Sequence, residues 1–385
     1  MESNQLKIAI VVNTAWNIVN FRLGLIKALL NAGHEVVAIA PEDEYVSKIE
    51  AIGCRFIPLQ TLERKGTNPI KDMRLVHELY RIYKNEKIDL ALQYTIKPNI
   101  YGTFAASLAG IKTISTVTGL GYSFISTGWV SRIAKSLYKR AFRRSTLVAF
   151  QNNDDRKLFI DIGLTSKEKT ILIKGSGIRT DYFIPMEKTE VNNNFVFLFV
   201  GRLLFDKGIQ EFMEAAKKIH QNYPNAQFWI VGAIDEGNPS SVNQVLLDQY
   251  ISEGFIKYFG PSDQVREMMR NCDVVVLPSY REGLPRVMLE ALSMAIPVIT
   301  TDAPGCRETV IDKKNGYMVP IKDVEALELA MEKMLNHSTE ELLEMGQIGR
   351  AMALKEFDEQ AIIQRYFEII DSIFEQKKIL LPKES

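Results

Sequence analysis

The sequence predicts an α/β protein built from two Rossmann-like domains facing across a cleft. Three observations predict it: β-branched runs alternating with helical patterns, a length of 385 residues that exceeds one typical core, and a polar break near mid-chain.

In chain order, Lys7–Val12, Glu35–Ala40, Arg55–Leu59, Asp89–Gln93, Lys112–Val117 and Leu147–Gln151 read as the strands of the first half. Runs such as IAIVV and VVAIA are apolar on both faces, so the sheet should be parallel with helices on each side. The stretch EKTEVNNN, Glu187–Asn194, interrupts this pattern, and Phe195–Val200, Gln227–Val231, Ile256–Phe259, Val274–Leu277 and Pro297–Thr300 begin a second series. The expected division is a first domain over residues 1–188, a second over 189–357 and a C-terminal segment over 358–385. In that last segment Ile362, Ile363, Tyr366, Phe367, Ile370 and Ile373 recur at helical spacing, a buried stripe expected to pack back on the first domain.

Composition narrows the class. Cys54, Cys272 and Cys306 lie far apart with no CxxC pair, which suggests neither a disulfide framework nor zinc and fits a reducing cytoplasm. The opening apolar run Leu6–Val12 is too short for a secretory signal. Pro98–Ile111, broken by Pro98 and Gly102, falls short of the roughly 20 apolar residues of a spanning helix. The formal net charge is zero, yet residues 1–190 carry 27 Lys and Arg against 18 Asp and Glu, and residues 191–385 carry 20 against 29. Residues 90–153 hold eight basic side chains and no carboxylate, a pattern that attracts anions or an anionic surface, or simply solvates a helix face. Within it WVSRIAKSLYKRAFRR, Trp129–Arg144, sets Trp129, Ile133, Leu137, Tyr138, Ala141 and Phe142 on one side, with Arg132, Lys135, Lys139, Arg140, Arg143 and Arg144 elsewhere. It reads as a basic amphipathic helix suited to an anionic leaflet or a lipid diphosphate, or as an ordinary helix covering the sheet.

Chemistry is expected just after strands, where open α/β sheets bind ligands. The segment VVVLPSYREGLPRVMLEA, Val274–Ala291, reads as strand, loop and helix, with Pro285 in the helix's first turn and the backbone of Gly283 and Leu284 offered to phosphate oxygens. Glu282 precedes the helix and Glu290 lies inside it, on the order of 12 Å away if the path is helical. Taken alone, two such glutamates would be surface residues complementing a helix dipole. GRLLFDKG, Gly201–Gly208, changes that balance: Arg202 and Lys207 flank a turn after the first strand of the second half, where fixed cations would stabilise a departing diphosphate.

These two segments resemble the donor-site motifs of retaining, GT-B-fold glycosyltransferases of family 4. So do Gly175-Ser176-Gly177-Ile178 with Asp181 and Phe183, and Pro304-Gly305-Cys306-Arg307-Glu308. The resemblance implies that Glu282 approaches the donor sugar, Glu290 the ribose, and Arg202 and Lys207 the diphosphate, with Gly201, Gly283 and Leu284 beside them. It also makes the first half the acceptor side. The Val117-Thr118-Gly119-Leu120-Gly121 stretch and LPSYREG look closest to enzymes that add N-acetylgalactosamine to an undecaprenyl-diphosphate-linked sugar in bacterial glycan assembly. Two departures stand out. Asn13-Thr14-Ala15-Trp16-Asn17 replaces paired glycines after the first strand, which puts Asn17 on the acceptor side. Thr118 precedes Gly119 where many members carry histidine, leaving the threonine hydroxyl or backbone to touch the donor.

The implied partners are a nucleotide sugar, favoured as UDP-linked, a lipid-linked saccharide and an anionic membrane at the inner face of the cytoplasmic membrane, with no nucleic acid. No cofactor is expected: Asp-x-Asp is absent, and His34, His77, His220 and His337 lack metal-ligand spacing. A nucleotide-sugar epimerase of the same shape and a catalytically silent carbohydrate binder are the competing readings. The first is disfavoured by the carboxylate-free stretch, the second by the intact motif residues.

Overall fold

The computed structural model describes residues 5–63, 68–120, 129–189, 194–235 and 237–375. Two compact units form, Met1–Ser176 with Ile362–Ser385, and Gly177–Ala361. Gly121 of the VTGLG stretch, residues 190–193 of the polar break and residues 376–385 lie outside the described residues, as does the Trp129 side chain.

The first unit holds β1 (Lys7–Val11), β2 (Glu35–Ala40), β3 (Arg55–Pro58), β4 (Leu90–Tyr94), β5 (Lys112–Val117), β6 (Leu147–Phe150) and β7 (Thr170–Leu172). They pair in parallel in the order β3-β2-β1-β4-β5-β6-β7. The strand order reverses between β1 and β4, where Ile8 pairs with Leu90 and Val11 with Gln93. Ile8, Ile10 and Val12 point to one face and Ala9 and Val11 to the other, all fully buried, so both faces carry core as the apolar runs require. The C-terminal helix Glu359–Phe374 lays Ile362, Ile363, Tyr366, Ile369, Ile370 and Ile373 on the first of these faces, in the first unit as expected. Each such side chain adds about 1.5–3 kcal/mol by burial. Its polar register point is the Tyr94 hydroxyl, which donates to that of Tyr366 at 3.1 Å.

The second unit holds β8 (Phe195–Val200), β9 (Ala226–Val231), β10 (Ile256–Tyr258), β11 (Val274–Leu277), β12 (Val298–Thr301) and β13 (Gly316–Val319), parallel in the order β10-β9-β8-β11-β12-β13. Its order reverses between β8 and β11, where Val274 pairs with Phe197 and Val275 with Leu198. Phe197 and Phe228 stack with ring centres 5.6 Å apart, and Phe199 and Phe212 close the core beside them. Ile178 and Phe183, which precede the polar break, are also buried in this core.

Candidate functional site

The reversal of strand order in the second unit brings the ends of β8 and β11 side by side, and each is followed by one of the two singled-out segments. After β8, the Gly201 N–H donates to Val231 O at 3.0 Å, and Leu203 and Leu204 are buried, pinning the turn from below. A short 3-10 turn, Phe205–Lys207, ends at Gly208 with φ +73°. A Cβ on Gly208 would stand 2.1 Å from Pro278 O, so only glycine lets this turn press onto the loop leaving β11. The contact is sealed by the Tyr280 N–H and the Ser279 hydroxyl, which donate to Asp206 O at 2.9 and 3.1 Å.

The consequence is that the Lys207 ammonium reaches the Glu282 carboxylate and forms an ion pair with it, their side chains 21% and 13% exposed. Glu282 is held from behind as well: its N–H donates to Pro304 O at 3.0 Å. Gly305, φ +79°, brings the following turn so close that a Cβ there would meet Glu282 O at 2.3 Å and Gly283 O at 2.6 Å. Next to it the Cys306 thiol is pushed up to about 12 by burial, with the Glu282 charge adding to the effect, so it stays protonated.

The helix that follows runs from Arg286 to Ser293, and this differs from expectation. Pro285 is not in the first turn but caps it in extended geometry, φ −75° and ψ 108°, so the path from Glu282 to Glu290 is helical only in its second half. The reason is local: Glu282 is tied to Pro304 and Lys207, and Gly283 and Leu284 must bridge from there to the helix. Glu290 is paired with Arg286 Nε at 3.0 Å. Burial raises its carboxyl above the ordinary glutamate value, with Arg286 acting in the opposite direction.

Arg202 leaves the same turn toward solvent, half exposed, and pairs with Asp235 at 2.9 Å. Asp235 in turn accepts from Asn238 Nδ2 at 3.1 Å. Nothing in the sequence marked Asp235, because it falls in a loop after β9 and meets Arg202 only through the sheet. Gly201, Arg202, Lys207, Glu282, Gly283 and Leu284 therefore all sit on the loops that leave β8 and β11, and Glu290 lies midway along the helix that follows. The arrangement offers two cations, two carboxylates and a helix start, a set suited to a diphosphate flanked by hydroxylated rings.

The remaining candidates lie in the first unit. Thr118 and Gly119 follow β5, and Gly119 takes φ +128°. Asn17 stands in the helix Ala15–Phe21, its N–H donating to the Thr14 side chain that caps it. The basic helix spans Trp129–Phe142 and buries Tyr138, Ala141 and Phe142. Arg132 and Arg143 are exposed, and Lys135 and Lys139 are half-buried. Ile133, expected on the apolar side, is 49% exposed, because the buried side is set by the Tyr138–Phe142–Phe159 ring cluster one turn further on. Arg143 and Arg144 lie past the helix end. Among the described residues no helix is long and apolar enough to cross a membrane, and no three His, Cys, Asp or Glu side chains gather as a metal site requires.

Comparison with known proteins supplies the class. Residues 183–352 match the family "Glycosyl transferases group 1", and residues 7–152 match "Glycosyl transferase 4-like". A Campylobacter jejuni N,N'-diacetylbacillosaminyl-diphospho-undecaprenol alpha-1,3-N-acetylgalactosaminyltransferase is 29% identical over 96% of this chain and 99% of its own. An Escherichia coli UDP-Gal:alpha-D-GlcNAc-diphosphoundecaprenol alpha-1,3-galactosyltransferase is 29% identical over 67% of this chain and 69% of its own. Among solved structures, Anabaena HepE in complex with UDP and glucose superposes with a TM-score of 0.80 at 20% identity, covering 96% of this chain and all (100%) of that one. The fold is thus the two-domain α/β fold of GT-B glycosyltransferases.

Proposed function

With its second half belonging to the group 1 glycosyl transferases and its first to the glycosyl transferase 4-like proteins, the chain is a glycosyltransferase, and we propose that it glycosylates a saccharide carried on undecaprenyl diphosphate. The donor is UDP-linked N-acetylhexosamine, N-acetylgalactosamine foremost, and the product serves a bacterial surface or glycoprotein glycan. The observation that carries this reading is the pairing of Lys207 with Glu282 at the β8 and β11 ends, flanked by Arg202 and by Glu290. The names of the two undecaprenol-linked relatives support the acceptor.

In this reading the diphosphate of the donor meets Lys207 and Arg202, and the start of the helix Arg286–Ser293 adds its positive end. Charge develops on that diphosphate as the glycosidic bond breaks, and cations already fixed by Asp235, Glu282 and the Gly208 turn need no reorganisation to meet it. Glu282 accepts from hydroxyls of the transferred sugar, and Glu290 from those of the ribose, each charged hydrogen bond contributing about 1.5–3 kcal/mol. Configuration at the anomeric carbon is retained: the acceptor hydroxyl attacks the face the diphosphate leaves, and a diphosphate oxygen takes its proton. The first unit, where Thr118 and Gly119 follow β5, takes the acceptor. Exposed Arg132 and Arg143, with Lys135 and Lys139, hold the protein to the anionic leaflet where the lipid resides.

The test is an incubation with a panel of nucleotide sugars, with and without short-chain lipid-diphosphate saccharides. UDP release that depends on the acceptor, with an axial-retained linkage in the product's proton couplings, is the expected result. Isomerised donor without transfer would identify an epimerase, and binding without turnover a silent carbohydrate binder; either overturns the proposal.

A further inference from the structure

Glu211 stands in the first turn of the helix Ile209–Asn222, where a glutamate would ordinarily face solvent and complement the helix dipole. Here it is 8% exposed, and Ile209, Phe212 and Met213 beside it are fully buried. Its Oε2 has no hydrogen-bond partner, and the carboxylate no ion-pair partner, among the described residues. Desolvating a carboxylate without a cation is costly, and an amide or apolar side chain of similar size would avoid the cost. What the carboxylate does have is the Tyr280 hydroxyl, which donates to its Oε1.

Tyr280 lies two residues before Glu282, and through two different groups it holds the chain on both sides of Lys207. Its N–H donates to Asp206 O at 2.9 Å, one residue before the lysine, and its hydroxyl donates to Glu211, four residues after. Ser279 adds a second bond to Asp206 O, at 3.1 Å, and Ser279 O is itself fixed by the hydroxyl of the buried Thr301 of β12. Burial, and after it the bond to Glu211, raises the Tyr280 phenol above the ordinary tyrosine value, so toward the carboxylate it is always the donor. The ammonium of exposed Lys322 lies 5.0 Å from the centre of the Tyr280 ring, a cation–π contact that adds to the hold on it. Lys207 and Gly208 are thus bracketed, and the lysine cannot shift relative to the Glu282 loop without breaking one of the two holds. The hold on Asp206 ends on a backbone oxygen. The hold on Glu211 is made by two side chains that the donor site does not otherwise use.

We propose that Glu211 and Tyr280 are positioning residues, whose buried hydrogen bond fixes the Lys207 turn against the Glu282 loop before charge develops on the departing diphosphate. The inference rests on the reading of Lys207 as a diphosphate ligand and adds to it two residues that act without touching the donor. A cation already in place stabilises a transition state more than one that must move to reach it, whereas in the bound ground state a mobile lysine can adjust. Loss of the bond should therefore appear in kcat and far less in affinity.

The experiment follows acceptor-dependent UDP release by the full-length protein, from UDP-N-acetylgalactosamine foremost and a short-chain lipid-diphosphate saccharide, with UDP affinity and melting temperature measured on the same samples. Tyr280→Phe strands a buried carboxylate, so it should lower the melting temperature and reduce kcat about tenfold. Glu211→Leu combined with Tyr280→Phe removes both polar groups: the melting temperature should return toward that of the wild type, kcat should stay about tenfold down, and UDP affinity should hold within about twofold. Glu211→Gln keeps an oxygen that accepts from the hydroxyl and should retain about half the rate or more. A kcat that recovers together with the melting temperature in the double variant would make the pair merely structural and overturn the proposal, as would a loss of UDP affinity as large as the loss of kcat. If Tyr280→Phe does not fold, the double variant carries the test. Absence of acceptor-dependent UDP release from the wild type sinks the transferase reading and this inference with it; wild-type turnover that the double variant keeps sinks the inference alone.

Discussion

Lys207 and Glu282 are 75 residues apart in sequence and meet as an ion pair that is mostly removed from solvent, each on a loop leaving a strand at the reversal of the second sheet. Removing one partner leaves the other's charge desolvated without compensation, which costs more than the pair itself contributes. Lys207→Met should therefore destabilise the fold by about 1–3 kcal/mol, and Lys207→Met with Glu282→Gln by less than the sum of the two single changes. A urea-unfolding cycle checks it; strict additivity would mean the pair is not coupled. Transferase turnover should fall roughly 100- to 1000-fold in either single variant if, as proposed, Lys207 and Glu282 face the donor.

Arg202 should behave differently. Its pair with Asp235 is half exposed, and such pairs contribute about 0–1 kcal/mol. Arg202→Ala should leave the unfolding midpoint nearly unchanged yet weaken UDP binding about tenfold or more, measured by calorimetry. Asp235→Asn should retain UDP binding. A large stability loss in Arg202→Ala with intact UDP affinity would make Arg202 a structural residue.

Gly305 carries a prediction about backbone. Gly305→Ala combines a left-handed φ with a Cβ inside the van der Waals distance of Glu282 O and Gly283 O, both backbone atoms that can move only by displacing the loop that carries Glu282. Gly260 has φ +70° but nothing within 4 Å of its Cβ, so Gly260→Ala isolates the conformational cost of about 1–2 kcal/mol. Gly305→Ala should cost more than Gly260→Ala in thermal unfolding and, unlike it, impair UDP binding. Equal effects of the two would show that the turn does not support Glu282.

The contrast between motif and environment explains what was legible in the sequence. Apolar strands announced themselves: Glu35–Ala40, Phe195–Val200 and Val274–Leu277 occupy the spans read from the sequence, because burial on both faces keeps their interiors apolar. The edge strands β7 and β13 were not foreseen. The first is three residues long, and the second, GYMV, opens on a glycine and follows Lys313-Lys314-Asn315, so neither carries a periodicity long enough to read. The site was legible as residue types after strands. The partners were not: Asp235 for Arg202, and Lys207 for Glu282, are contacts that only the sheet order creates. Nor did sequence spacing disclose that Arg22 Nε, buried beside the Tyr94 ring, has no hydrogen-bond partner among the described residues.

Glu290 gives a pH dependence with a definite sign. Burial, the larger cause, raises its carboxyl above the ordinary value of 4.5 despite Arg286, and Glu359 is raised by burial as well. A group that holds its proton more tightly folded than unfolded makes stability fall as pH rises through the interval between the two values. The interval starts near 4.5 and ends at the raised value, above which the penalty is complete. Glu290→Gln should flatten the decline in unfolding free energy from pH about 4.5 toward neutrality, and Glu290→Gln with Glu359→Gln should flatten it further. An unchanged pH profile in the double variant would show that these carboxyls are not desolvated in solution.

The basic helix yields the last prediction. Arg132 and Arg140 on the helix and Arg143 just past it are exposed, and Ile133 beside them is 49% exposed, so one apolar side chain accompanies three cations on the outer side. Near an anionic leaflet each cation contributes about 1 kcal/mol, and the three together correspond to roughly 100-fold in partitioning. Replacing all three by glutamine should lower binding to phosphatidylglycerol vesicles by about that factor at low ionic strength, with little effect on phosphatidylcholine vesicles or on UDP affinity. The buried side of the helix, built on Tyr138, Ala141 and Phe142, is untouched by these changes, so the melting temperature should hold. Co-sedimentation at two salt concentrations separates the outcomes: wild-type protein that stays in the supernatant with anionic vesicles at low salt would mean that the cations merely solvate a helix whose work is to cover the sheet.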